Sequence, residues 1–490
     1  MVVVFFRGCV SEANHSSIVF PVTGNIYPAW AYYTTIKIGK PPTPFKLFVD
    51  SGSYITWVKC HGHCENCDRP PRRLYRPPKD STVQCQDPLC AAILRNKPNC
   101  IIPTGPCEYR NGYGDESSTQ GYLVKDVFQL QLMNGSVIDF PMVFGCGYKE
   151  IGHFSGDGII GLSRNQASLV SQIHSQGLIQ EVTGHCFSKR GGGFLFLGDD
   201  LVPHSGISWT PIIENDNKEY RSGPVDLLFD GSRTQVRQLQ FTFDSGSIST
   251  YLNKQAYRNT LDMINRALKV KPLTSANPER WLPICWRRRN QKPISSLNDI
   301  RHYFKPLSLR FTNEQNVKLD LPVQAYLILV KGKVCLGIQN GDFLGPENEN
   351  LIGAISMQDK LVIYDNVNRR IGWASRAVKE LHLSLFPSQN QRVEDRPDIV
   401  LRIFHIKLSE FVSDIKMDSY FDKVFEISLQ ETTYFIRCYN VCYYCPDEPS
   451  CHLDNLDIFE SEEVLSSVRT NSRSCMDTNV WASHGCRPDN

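Results

Sequence analysis

Leu47-Phe48-Val49-Asp50-Ser51-Gly52-Ser53 returns later in the chain as Phe241-Thr242-Phe243-Asp244-Ser245-Gly246-Ser247. Each copy carries apolar residues into Asp-Ser-Gly-Ser. Each is followed by a second signal, an aliphatic pair and a glycine: Ile159-Ile160-Gly161 and Leu351-Ile352-Gly353. The spacings nearly agree, 50 to 161 and 244 to 353. One Asp-Ser-Gly alone reads as an ordinary turn in which Asp and Ser bond their own backbone. Two copies in the same order and spacing predict duplicated lobes.

Strand signals dominate both halves. Tyr32-Tyr33-Thr34-Thr35-Ile36-Lys37-Ile38-Gly39 alternates and then meets a glycine and two prolines, as a strand running into a turn does. Phe194-Leu195-Phe196-Leu197-Gly198 and Leu361-Val362-Ile363-Tyr364-Asp365 read as buried strands. Helical periodicity is sparse and clearest over 254–270, with Ala256, Leu261, Ile264 and Leu268 on one face. The fold class is therefore mostly β. Gly191-Gly192-Gly193 has no following Lys-Ser/Thr and leads into a strand, so it reads as a turn and not a phosphate cradle.

Two carboxyls brought together have a specific chemistry. Side by side they cannot both ionise cheaply, so they share a proton and one serves as acid while the other serves as base. Such a pair can activate a water and polarise a peptide carbonyl without metal or covalent intermediate. Asp50 and Asp244 are the candidates. Ser53 and Ser247, three residues beyond each aspartate, are placed to hydrogen-bond the carboxylates.

Composition narrows the classes. The chain has 490 residues, 41% hydrophobic and 21% charged, which is globular and too long for one ordinary core. A formal net charge of +2 gives no reason to expect a nucleic-acid partner. No apolar run reaches about 18 residues, so no membrane span is expected. Eighteen cysteines, seven of them at Cys60, Cys64, Cys67, Cys85, Cys90, Cys100 and Cys107, predict disulfides and passage through an oxidising secretory route. The sequons at Asn14 and Asn134 fit that route. Met1–Phe6 is apolar, but Arg7 interrupts it short of a usual signal peptide.

With Thr56-Trp57, Phe144-Gly145-Cys146-Gly147-Tyr148, Gly184-His185-Cys186 and Met357-Gln358-Asp359 added to the two turns, the chain resembles the pepsin-like aspartic peptidases, specifically their plant nucellin-like and nepenthesin-like branch. The resemblance covers about residues 17–378. It implies a bilobal β fold with a central cleft: a leader or short pro-region at 1–24, an N-terminal lobe at 25–205 with a cysteine-rich insert at 60–107, and a C-terminal lobe at 206–378. Residues 379–490 match neither half and are expected to be a separate extension. The resemblance implies an acid-range endopeptidase that takes extended peptide or protein substrates and works as a monomer without cofactor or metal. Asp50 and Asp244 take the catalytic positions, supported by Ser51, Gly52, Ser53, Ser245, Gly246, Ser247 and Trp57. Tyr113, Gly114 and Asp115 fall on its flap. A Cys285–Cys335 disulfide is implied, and Cys146–Cys186 more loosely.

Some features depart from that pattern or compete with it. Both motifs read Asp-Ser-Gly where the family often has Asp-Thr-Gly. Glu116 replaces the flap-tip glycine, and Ala354 stands where the family usually carries an aspartate, which predicts a shifted pH optimum. His61, His63, Cys64 and Cys67 look like a zinc cluster, but their surroundings match the disulfide-rich insert. For Cys438, Cys442, Cys445, Cys451 and His452, zinc and disulfides both remain open. The alternative function is a binding protein on the same scaffold, as in related plant xylanase inhibitors. The expected location is extracellular or vacuolar.

Overall fold

A computed structural model describes residues 17–61, 74–94, 102–342, 344 and 350–374, together with the backbone of 423–429, 432–438 and 456–460. The chain divides into two compact units, 1–391 and 392–490. In the second, Lys423–Leu429, Thr432–Cys438 and Leu456–Glu460 form an antiparallel sheet. Met1–Phe6, Asn14, His63, Cys64, Cys67 and, apart from Cys438, the tail cysteines lie outside the described residues.

The first unit is mostly β. Its largest sheet begins with Ser208–Pro211, Arg370–Ala374, Leu361–Asp365, Val182–Phe187, Gly193–Leu197 and Ile18–Asn25, so both halves of the chain contribute strands to it. It continues through Ala31–Ile38, Thr43–Asp50, Gly158–Gly161 and Trp57–Lys59 into the long hairpin Ser118–Gln131 and Val137–Ile151, and ends at Glu108–Gly112. A second sheet is built from the second half. It includes Arg221–Phe229, Leu239–Phe243, Asn350–Ile352 and Thr250–Leu252. One hydrophobic cluster surrounds Leu47, Val49, Phe128 and Phe144 and also takes in Ile328, Val330 and Ile355 of the second half; another, within the second half, surrounds Phe241, Phe243, Leu309 and Phe311.

Local sequence explains the elements. Gly193–Leu197 is buried at every position, because a continuous apolar run suits a strand covered on both faces. The helix Lys254–Leu268 starts where the Asn253 side chain accepts the Ala256 N–H at 3.0 Å. It buries Ala256, Thr260, Ile264 and Leu268 on one stripe. Gly191 and Gly192 adopt positive φ in a turn before the strand, as their composition predicts.

Two expectations change. Ile18–Asn25 pairs with Gly193–Leu197 and Ala31–Ile38, so residues 18–24, expected in the leader, belong to the folded body. The Cys146–Cys186 pairing is overturned. Cys146 bonds Cys60, and Cys186 is a buried free thiol. The reason is register: Trp57–Lys59 runs parallel to Val137–Ile151, which brings the next residue, Cys60, within 5.3 Å of Cys146 between Cα atoms. Cys186 instead faces Phe194 and Leu361 in the sheet. Cys90–Cys107 and Cys285–Cys335 are disulfides, and Cys85 is also disulfide-bonded.

Candidate active site

Each aspartate stands at the end of a strand flanked by the aliphatic-aliphatic-glycine segment. Thr43–Asp50 runs parallel to Gly158–Gly161, with Asp50 opposite Gly161. Leu239–Phe243 runs parallel to Asn350–Ile352, one residue before Asp244. The two glycines are required by crossing chains. A Cβ on Gly161 would lie 2.7 Å from the Ile55 backbone, and one on Gly353 would overlap the Ser249 carbonyl. Ile55 and Ser249 each stand five residues past their aspartate, so the same crossing is built twice. Thr56 and Thr250, one residue further, complete it. Thr56 Oγ1 accepts Gly161 N–H at 3.1 Å, and Thr250 Oγ1 accepts Gly353 N–H at 3.2 Å. Sequence reasoning passed over Thr250, although its offset from Asp244 equals that of Thr56 from Asp50. Ala354 is fully buried at the start of a short helix, its N–H on Ser247 O at 2.7 Å.

The serines after the aspartates lock the turns together. Ser51 N–H donates to Ser245 Oγ and Ser245 N–H to Ser51 Oγ, both at 2.9 Å. Ser51 Oγ donates to Phe243 O and Ser245 Oγ to Val49 O, both at 3.0 Å. Both serines are fully buried, so losing any of these bonds strands a polar group. Gly52 N–H and Gly246 N–H each donate to their own aspartate's Oδ1 at 2.8 Å. Ser53 Oγ donates to Asp50 Oδ2, and Ser247 Oγ donates to Asp244 Oδ2 at 2.6 Å.

Each glycine of the motif also faces the opposite carboxyl. A Cβ on Gly52 would lie 2.8 Å from Asp244 Oδ1, and one on Gly246 would overlap the Asp50 carboxyl. Asp50 is 6% exposed, while Asp244 is less deeply covered. Burial, and then the neighbouring Asp244 charge, raise the Asp50 carboxyl well above the ordinary carboxylate range; hydrogen bonds from Ser53 and Gly52 oppose them.

This has a consequence for stability. An acid whose folded pKa is raised leaves the folded chain holding more protons than the unfolded one. The Asp50 contribution is therefore complete below about pH 4, the unfolded aspartate value, and is lost as pH rises through the raised one. Between pH 4 and 8 the Tm of the wild type should fall relative to that of Asp50→Asn. Parallel thermal melts of the two proteins check this.

A hairpin tip lies between Glu108–Gly112 and Ser118–Gln131. Tyr113 N–H bonds Ser117 O at 2.8 Å, and Glu116 N–H bonds Tyr113 O at 3.1 Å. Glu116 has a φ of 67°. A type I turn closed by a left-handed residue has this geometry, and glycine is the residue that adopts it without steric cost. The Asp115 carboxylate accepts Ser117 N–H at 3.1 Å and Ser117 Oγ–H at 2.5 Å. Gly114 approaches the second half, where a Cβ would sit 3.0 Å from Leu344 Cδ2. Trp57 Nε1–H donates to Tyr113 Oη at 2.7 Å, and both rings pack edge-on against Phe154. Burial keeps the Tyr113 phenol protonated well above its ordinary range. Tyr251, which the sequence did not single out, is pushed up to about 12 by burial and then by the charges of Asp244 and Asp115.

The structure thus brings Asp50, Asp244, both glycine-serine turns, Trp57 and Tyr113 into one region. Among the described residues no group of three or more His, Cys, Asp and Glu side chains could hold a metal ion.

Comparisons with known proteins agree with this architecture. Residues 32–199 match the family profile described as "Xylanase inhibitor N-terminal", and residues 226–375 match "Xylanase inhibitor C-terminal". An aspartic proteinase of Oryza sativa subsp. japonica is 37% identical over 377 residues, covering 74% of this chain and 91% of its own. Aspartic proteinase 39 of Arabidopsis thaliana is 28% identical over 387 residues, covering 73% and 77%. The crystal structure of basic 7S globulin from soybean superposes with a TM-score of 0.60 at 16% identity, over 75% of this chain and 97% of that one. The aspartic proteinase from Irpex lacteus gives 0.52 at 15%, over 74% and 99%. The repeated aspartate turns, their interlocked serines and these likenesses lead to one conclusion: the chain belongs to the pepsin-like aspartic protease family.

Proposed function

We propose that the chain is an aspartic endopeptidase in which Asp50 and Asp244 share one proton and activate a water against a peptide carbonyl. The observation that carries this reading is the mutual approach of the two carboxyls, each seated in its own N–H and hydroxyl donors. Those donors fix the carboxyls before substrate arrives, so little reorganisation is needed in the transition state. The pair shares that proton, so one carboxyl polarises the scissile carbonyl while the other draws a proton from water. Tyr113 closes over the site as the tip of the flap, and an extended peptide lies beneath it.

Domain limits follow the same reading, with lobes at about 18–205 and 206–378 and a separate extension. The disulfides support folding in the secretory route, toward an extracellular or vacuolar destination. Asn134, exposed in a turn, is a candidate glycosylation position.

A peptide library digested by the oxidised protein between about pH 3 and 7 tests the proposal, with pepstatin and Asp244→Asn as controls. Cleavage that both controls remove supports it. No cleavage at any pH, joined to tight binding of a xylanase, would replace it with the inhibitor reading that the matched profiles' description suggests.

The flap contact supplies a further expectation. Trp57→Phe keeps an aromatic ring but removes the donor to Tyr113 Oη. A hydrogen bond of about 1 kcal/mol corresponds to a loss of roughly fivefold in kcat/KM. Steady-state kinetics on one library-derived peptide measures it, and an unchanged value would show that the bond does not hold the flap in the productive position.

A further inference from the structure

His185, Tyr364 and Ser51 form a line of fully buried polar side chains behind the aspartate turns. His185 lies on Val182–Phe187 and Tyr364 on the adjacent strand Leu361–Asp365. His185 Nε2 is 3.2 Å from Tyr364 Oη, which is 3.3 Å from Ser51 Oγ.

The direction of the line follows from counting protons. A serine hydroxyl has one proton and two lone pairs. The Ser51 proton goes to Phe243 O at 3.0 Å, and one lone pair takes Ser245 N–H at 2.9 Å. The remaining lone pair accepts the Tyr364 proton. Its competitor, Met357 Sδ at 3.8 Å, is farther away and a weaker acceptor. The Tyr364 oxygen then accepts the proton on His185 Nε2. This leaves Nδ1 as the bare nitrogen of a neutral ring, and Nδ1 is the atom with no hydrogen-bond partner. Burial lowers the His185 pKa to about 3, so the ring is neutral through the mildly acid range. The twin turn is built differently. Ser245 Oγ bonds Ser51 N–H and Val49 O, and among the described residues its oxygen has no third partner.

We propose that Tyr364, oriented by His185, is a positioning residue that holds the Asp50 turn through Ser51 and makes the two halves of the carboxyl pair inequivalent. Its role in catalysis rests on the endopeptidase reading; the hydrogen-bond chain itself does not. Tyr364→Phe removes the hydroxyl and leaves the ring stacked on Tyr220 at a centroid distance of 4.1 Å. Tyr220→Phe is the matched control, since it removes a buried hydroxyl bonded to Leu162 O at 2.9 Å from the same stack.

In kinetics on a library-derived peptide, Tyr364→Phe should lower kcat about five- to tenfold, the effect of one lost hydrogen bond, with KM within about twofold. Tyr220→Phe should keep the wild-type kcat. No fall in Tyr364→Phe, or an equal fall in both variants, would overturn the role. An inactive wild type would instead defeat the endopeptidase reading. The chain is then decided by nitrogen NMR of His185: a proton on Nε2 that shifts in Tyr364→Phe supports it, and a proton on Nδ1 removes it.

Discussion

Asp50→Asn should abolish peptide hydrolysis, lowering kcat/KM by at least about 10³-fold, while leaving the fold intact. Asparagine keeps the shape; its amide oxygen can still accept the Gly52 N–H, while its NH2 replaces Oδ2 and can only donate, so the Ser53 hydroxyl must turn to accept from it. It can neither carry the shared proton nor release it, so acid and base roles both fail. The stability effect runs the other way. Above about pH 4 the wild type must increasingly keep a buried acid protonated or bury its charge beside Asp244, and the amide is free of that cost. The variant should therefore melt at or above the wild-type temperature at pH 7. Kinetics on a cleaved peptide together with melts at pH 4 and 7 measure both effects. A variant that retains more than about a tenth of wild-type activity would remove Asp50 from the mechanism, because general acid/base groups contribute 10²-fold or more.

Gly246→Ala should lower kcat/KM by about 10²-fold and destabilise the chain by about 1–3 kcal/mol. The position does not require left-handed backbone; what forbids a side chain there is the Asp50 carboxyl, into which a Cβ would project. Asp50 would have to move, and with it the bonds from Gly52 and Ser53. Displacements near 1 Å at reacting groups cost rates of this order. Gly52→Ala, where the new atom would meet Asp244 Oδ1 at 2.8 Å, should act in the same direction and more weakly. Near-wild-type kinetics in Gly246→Ala would mean that the carboxyls do not work at the separation seen here. Neither glycine substitution should change the Cys285–Cys335 bond, which peptide mapping without reduction can verify.

Much of this site is legible in the linear sequence because the fold repeats itself. The offsets from aspartate to serine and from aspartate to threonine recur in both halves and the one to the distant glycine nearly does, and recurrence separates a functional turn from an ordinary one. Leu361–Asp365 has the bounds its apolar run suggests. The helix at Lys254–Leu268 follows its periodicity and its asparagine cap. Cysteine pairing was less readable. Cys60 and Cys146 meet because two strands run side by side in parallel, a register that spacing along the chain does not encode. Cys186 has no such neighbour, so its thiol stays free. His185 and Tyr364 were visible only as parts of strands. Nothing local indicates that their polar atoms point toward Ser51, since they lie 134 and 313 positions away along the chain, and only the pairing of their strands aligns them.

The sequence by itself determined that two acid-bearing turns exist, that they follow apolar strands, and that an aliphatic pair ending in glycine follows each one downstream. Short-range stereochemistry and apolar periodicity suffice for that. Only the tertiary structure decided how the turns meet: which serine holds which backbone group, which carboxyl is the deeper, and why glycine is needed beside it. Those are distances between residues about two hundred positions apart, set by the packing of whole sheets. A residue's own neighbours along the chain carry no record of them.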